Sequence, residues 1–231
     1  MTLIFVSDLH LDGGAARPEI AALVAEPSVQ DADVLVLGGD VADPWKAPWD
    51  TILQSADWRR IQDMVGGRCD RGLQTLWIDR NHDYNPPPEA LPQAKRAPEY
   101  RAGNWLFLHG WEFDPLWSFG PFGVHEAAFW LARNHPALMC PIYKALYRHK
   151  TPGTRPRVSR TLRDDWTLGI GLGHDRARMY AKHHGLNLVI GHFHCPQKFD
   201  GLIADAGDMV DSFTYFELNG DKGKVRQLCV P

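Results

Sequence analysis

Five short apolar runs, each closing on aspartate, asparagine, histidine or glycine, constrain this chain more than any other feature. Leu3 to Ser7 leads into Asp8 and His10 in SDLH, and Val34 to Leu37 leads into Asp40 and Asp43 in GGDVAD. Leu73 to Asp79 precedes Asn81 and His82 in RNHD, Trp105 runs up to His109 in LFLHG, and Leu188 to Gly191 opens onto His192 and His194 in GHFH. Continuous leucine- and valine-rich runs of this length predict strands buried on both faces, as in a parallel sheet. Side chains that follow such strands gather at one sheet edge, where α/β folds place their sites. Each cluster alone says little, because an isolated histidine near a strand end is usually a hydrogen-bonded loop residue. Their ordered recurrence is specific: carboxylates, imidazoles and an amide are all delivered to one edge.

Between the first two strands, Pro18 to Glu26 predicts a helix with proline near its start, and Trp49 to Val65 predicts a second from its helical spacing of apolar residues. The first half is thus β-α-β-α-β. From Gly201 onward the pattern becomes alternating runs, Leu202 to Ala206, Phe213 to Leu218 and Val225 to Val230, with a turn at Asn219-Gly220. The proline-rich stretch Asn85 to Pro98 reads as a surface loop. The segment from about 111 to 184 is too long for a loop and predicts a helical insertion, with candidates at Gly123 to His135, Ala137 to Arg148 and Leu162 to His184.

At 231 residues the whole chain, 1–231, fits one domain carrying that insertion. The formal net charge of −3 provides no global field to gather nucleic acid, so no stable nucleic-acid partner is expected. Cys69, Cys140, Cys195 and Cys229 are scattered without a CxxC pair, which points to a reducing compartment rather than a disulfide framework. MTLIFVSDLHL lacks a basic leader region, and no apolar run reaches the ~18–20 residues of a membrane span. A cytoplasmic location is expected, with at most a peripheral contact on the inner face of a membrane.

In this order the motifs resemble those of the calcineurin-like metallophosphoesterase superfamily, DxH, GDxxD, GNHD, a lone His and GHxH, over Asp8 to His194. The resemblance implies a four-layer α/β/β/α sandwich with a helical insertion. It also implies a hydrolase of a phosphate ester or pyrophosphate that uses a hydroxide bridging two metal ions. Asp8, His10, Asp40 and His194 would hold one ion and Asp40, Asn81, His109 and His192 the other, with Asp40 shared. Hard oxygens mixed with imidazoles suit Mn²⁺, Fe, Zn²⁺ or Ni²⁺ better than an all-oxygen Mg²⁺ site, and Mn²⁺ is the expected pair. His82 is placed by the resemblance to protonate the leaving oxygen, with Asp43 orienting it and holding it protonated. The other reading of Asp43 is a cap on the following segment.

Arg80 stands where the family usually has glycine, and it either points at the substrate phosphate or faces solvent. Asp12 reads as a turn residue, and the second GDxxD, Asp208 to Asp211, as structural or peripheral. The DLHL opening, Trp45, the insertion after HG and a GD-containing strand expected over Ala206 to Phe213 resemble the UDP-2,3-diacylglucosamine pyrophosphatase branch. His82 in place of that enzyme's usual arginine, and GHFH in place of GHTH, point to a broader sister group. A phosphorylated small molecule or lipid-linked nucleotide is therefore the expected substrate.

The insertion's aromatic residues, among them Trp117, Phe129 and Trp130, either line an acyl-chain pocket or seal a cap onto the core. The basic run from Lys144 through Arg148 to Arg163 either binds a diphosphate or anionic membrane, with Lys144 and Arg148 as substrate contacts, or is a solvated face. Two other functions stay open: a small-molecule or nucleic-acid phosphodiesterase, and a non-catalytic scaffold on the same fold, as in the retromer subunit that resembles phosphoesterases.

Overall fold

The computed structural model of the protein describes residues 1–79, 82–83, 86–114 and 160–230. Its elements run β1 (Thr2–Val6), α1 (Pro18–Ala25), α2 (Pro27–Asp31), β2 (Val34–Leu37), α3 (Trp49–Leu53), α4 (Ala56–Asp70), β3 (Gln74–Trp77), β4 (Lys95–Arg96), β5 (Tyr100–Ala102) and β6 (Trp105–Phe107). A 3₁₀ turn at Trp111–Phe113 follows, then α5 (Arg160–His184), β7 (Asn187–Ile190), β8 (Ile203–Asp205), β9 (Thr214–Asn219) and β10 (Lys222–Gln227).

Two sheets stack. One has the order β10-β9-β1-β2-β3-β4, the other β5-β6-β7-β8. β1, β2, β3 and β4 are mutually parallel, as are β6, β7 and β8, so their C-terminal ends open in the same sense within each sheet. Alternation along the strands builds the layers. Ile4, Val6, Leu35, Leu37 and Trp77 face helices α1 and α4 through Ile20, Leu23, Trp58, Ile61 and Val65. Leu3, Phe5, Val34, Val36 and Leu76 point the other way, onto Trp105, Phe107, Val189 and Ala204 of the second sheet. That sheet's outer face, Leu106, Leu188, Ile190 and Ile203, packs on Ala177 and Ala181 of α5. The result is the expected helix, sheet, sheet, helix sandwich, in which strands buried on both faces explain the unbroken apolar runs.

Several expectations need correction. The helix expected over Trp49 to Val65 is two helices, because the Ser55 side chain accepts from Trp58 N at 3.2 Å and starts a new helix there. The short α2 has its own start at Pro27, with the Glu26 carboxylate accepting from Ser28 N at 3.4 Å. The loop expected over Asn85 to Pro98 contains β4, which pairs with β3. The strand expected over Leu202 to Ala206 is β8 at Ile203–Asp205, whereas the GD-containing strand expected over Ala206 to Phe213 is a loop with a turn. The last strand begins at Lys222, three residues before the expected Val225. Leu162 to His184 forms one helix, whereas the expected helices at Gly123 to His135 and Ala137 to Arg148 lie outside the described residues.

Candidate metal centre

The loops that leave β1, β2, β3, β6, β7 and β8 meet at one edge of the sandwich. Hydrogen bonds stitch loop to loop: His192 N donates to Asp8 Oδ2 at 2.9 Å, and His82 N donates to Asp40 Oδ1 at 2.8 Å. Asp83, the last residue of RNHD, accepts from Val41 N (3.1 Å), Ala42 N (2.7 Å) and Trp77 Nε1 (3.0 Å) and so locks the third loop onto the second. Two glycines permit the approach. A Cβ on Gly191 would lie 2.0 Å from Ser7 Oγ, and one on Gly39 would lie 2.7 Å from His109 Nδ1.

Within this edge Asp8, His10 and His194 form one group whose ligand atoms lie within 4.8 Å of one another, and Asp40, His109 and His192 form a second. Asp40 joins them, its Oδ2 lying 3.4 Å from His109 Nε2, 3.7 Å from His10 Nε2 and 4.0 Å from His82 Nε2. His10, Asp40 and His82 also qualify as a group, but Nδ1 of His82 is engaged by Asp43 Oδ1 at 3.0 Å. Arg80, Asn81, Lys144 and Arg148 lie outside the described residues.

The rings are aimed from behind. His109 Nδ1 donates to the Gly38 carbonyl at 3.0 Å, which leaves Nε2 for the cleft. Nδ1 of His10 faces Asp43 Oδ2 at 3.4 Å, and Nδ1 of His194 faces Asp208 Oδ2 at 3.6 Å, so their Nε2 atoms turn inward and meet at 3.3 Å. Two ring nitrogens at that distance need a proton or a cation between them. Asp8 Oδ1 lies beside them, 3.3 Å from His194 Nε2, buried and accepting no hydrogen bond among the described residues. A buried carboxylate oxygen and two converging imidazole nitrogens fit a divalent metal ion.

Electrostatics follow from burial and pairing. Burial opposes the charge on Asp8 and Asp40, yet His194 and His109 beside Asp8, and His109 and His82 beside Asp40, hold both far below the usual carboxylate range. Burial likewise works against charge on His109 and His194, but Asp40 and Asp8 push His109 up to about 10, and Asp8 pushes His194 up to about 9. His10 and His192 are depressed, chiefly by burial. His82 is raised despite burial, by the charge of Asp40 and then of Asp43. Burial and the nearby Asp40 lift Asp83 to about 8.

Backbone strain marks the same residues. Asp8 (φ 57°), His10 (48°), Asp40 (52°), His192 (69°) and His194 (53°) all sit in the left-handed region, at a cost on the order of 1 kcal/mol or more each. Sequence reading did not reveal this, nor Lys46, nor the contacts that Trp45 and Asp208 make with the cleft histidines. Lys46 Nζ lies 2.7 Å from Asp43 Oδ2, and Trp45 stacks on the His82 ring with centroids 5.1 Å apart. Asp208, in the second GDxxD, accepts from the backbone N–H of Val210 (2.7 Å) and Asp211 (2.5 Å) while standing behind His194. Asp12, as expected, closes a turn by accepting from Gly14 N at 3.0 Å.

No curated protein sequence matches the chain. A conserved uncharacterised protein of Streptococcus pneumoniae, described as a predicted phosphoesterase, is similar at 15% identity, with 97% of this chain and 86% of that chain covered and a TM-score of 0.39. Residues 1–196, which carry every motif loop except the Asp208 turn, match the family described as calcineurin-like phosphoesterase. The chain belongs to the calcineurin-like phosphoesterase family.

Proposed function

We propose that this protein hydrolyses a phosphate ester or anhydride with two divalent metal ions, the first on Asp8, His10, Asp40 and His194 and the second on Asp40, His109, His192 and Asn81. The observation that carries the reading is Asp40 standing between two donor groups, within 4.0 Å of three imidazoles. Two cations in this cleft would lower the pKa of a water between them and neutralise charge on the phosphoryl oxygens. His82 sits at the rim with Asp43 on Nδ1 and a raised pKa, so it can hold a proton on Nε2 for the leaving oxygen. Trp45 covers one face of that ring and restricts its rotation.

For the substrate, a lipid-linked nucleotide pyrophosphate is the favoured member of the class, because the resemblance to the UDP-2,3-diacylglucosamine pyrophosphatase branch includes Trp45, and Trp45 lies against the proposed acid. In this reading the protein works in the cytoplasm and touches the membrane only peripherally. No helix among the described residues is long and apolar enough to cross a membrane. The test is hydrolysis of bis-p-nitrophenyl phosphate, a diacylated nucleotide sugar and single-stranded DNA by protein stripped with chelator and reloaded with Mn²⁺. Metal-restored turnover of the nucleotide sugar supports both levels. Turnover of DNA alone makes it a nuclease, and a fully metallated protein inert on all three is a scaffold.

A further inference from the structure

Three of the four histidines proposed as metal ligands are backed by residues of the strand-end motifs: His10 by Asp43, His109 by the Gly38 carbonyl and His194 by Asp208. The fourth is different. His192 Nε2 lies 3.0 Å from Oδ2 of Asp114, a residue outside every motif and five positions after His109.

The path of the chain explains the contact. Gly110 takes φ 113°, and its Cα passes so near the GHFH loop that a Cβ would lie 3.1 Å from Ile190 Cβ and 3.2 Å from the Gly191 carbonyl. The 3₁₀ turn Trp111–Phe113 then doubles back, anchored by the buried Phe113 against Tyr180 of α5, ring centroids 5.5 Å apart. Asp114 ends that turn and is set on His192, with side-chain exposures of only 15% and 10%. A carboxylate is acceptor-only when ionised, so Nε2 of His192 carries the proton and Nδ1 is the nitrogen left for an ion.

We infer that Asp114 is a positioning residue for the second metal ion: it fixes the tautomer and ring orientation of His192, so that the 3₁₀ turn after β6 completes the site built by Asp40 and His109. The inference rests on the two-metal reading. Carboxylates that back metal-bound imidazoles are worth about 10–100-fold in affinity, and here that increment falls on one site of the two.

The experiment is calorimetric titration of the chelator-stripped full chain with Mn²⁺, for the parent and for Asp114→Asn, Asp114→Ala and Asp114→Glu. Electron paramagnetic resonance follows the spin coupling of a manganese pair, and circular dichroism checks the fold. The expected result is two ions in the parent, and in Asp114→Asn and Asp114→Ala one site of unchanged affinity with the other weakened about 10–100-fold and coupling lost at limiting metal. Asp114→Glu should recover part of the loss. Equal affinities in parent and folded variants overturn the inference while leaving two metals in place, and so does equal weakening of both sites. A parent that takes only one ion removes the two-metal reading itself, and the inference with it.

Discussion

The two sheets contribute unlike walls to the cleft. From the six-stranded sheet come the carboxylates Asp8, Asp40 and Asp43, with His10 and His82 among them, whereas the four-stranded sheet, among the described residues, turns the imidazoles His109, His192 and His194 to the interior and keeps its carboxylates Asp114 and Asp208 behind them. Each wall shifts the other, the acidic one held anionic and two of the three opposing imidazoles held protonated. The seam between the sheets is therefore also a seam of charge, and protons and metal ions compete for it.

The strongest way to break this contrast is at Asp40, the group nearest both walls. Asp40→Asn should lower kcat/KM on bis-p-nitrophenyl phosphate by on the order of 10³-fold or more, the scale of losing a preorganised electrostatic group, and should weaken both ion sites in titration. A variant within tenfold of the parent would remove Asp40 from the centre. Next comes His82. His82→Gln should cost about 10²–10⁴-fold on esters with poor leaving groups and much less on p-nitrophenyl esters. A uniform loss across a leaving-group series would show that His82 does not donate the proton.

Proton competition gives the third effect. With His109 up to about 10 and His194 up to about 9 in the metal-free protein, loading at pH 7 must displace protons from both. Mn²⁺ affinity should fall about 10–100-fold for each pH unit of acidification from 8 to 6, and calorimetry in buffers of different ionisation enthalpy should count the released protons. No proton release would show that the imidazoles are neutral before the metal arrives.

Asp205 at the end of β8 sharpens the contrast with the smallest expected effect on turnover. It is a carboxylate behind the imidazole wall, lifted by burial to about 6 and held by His174 Nε2 at 2.9 Å. Its folded pKa lies above the unfolded value, so its contribution to stability is fully present below about pH 4 and is lost as pH rises through about 6. In denaturant melts of metal-free protein, Asp205→Asn should remove a pH-dependent loss on the order of 3 kcal/mol over that window. Parallel curves for parent and variant would place Asp205 as an ordinary ionised group.

Sequence and structure agree where chemistry and periodicity coincide. Val34 to Leu37 is a strand with the expected bounds, because nothing but apolar residues fills a strand buried on both faces. Asp8, His10, Asp40, Asp43, His82, His109, His192 and His194 all reach the expected edge, since each follows a strand whose direction the hydrophobic runs already set. The misses are of another kind. Asp114 and Lys46 act on residues distant in sequence or hidden by a turn, and no local pattern announces a contact made by chain reversal. Ser55 divided a helix because one hydroxyl outweighed the apolar spacing across it.

The left-handed backbone at Asp8, His10, Asp40, His192 and His194 has a consequence beyond chemistry. Glycine would adopt this backbone at any of the five positions with less strain, so the chain carries its reactive side chains at a local conformational cost, set against the hydrogen bonds by which Asp8 and Asp40 tie neighbouring loops together.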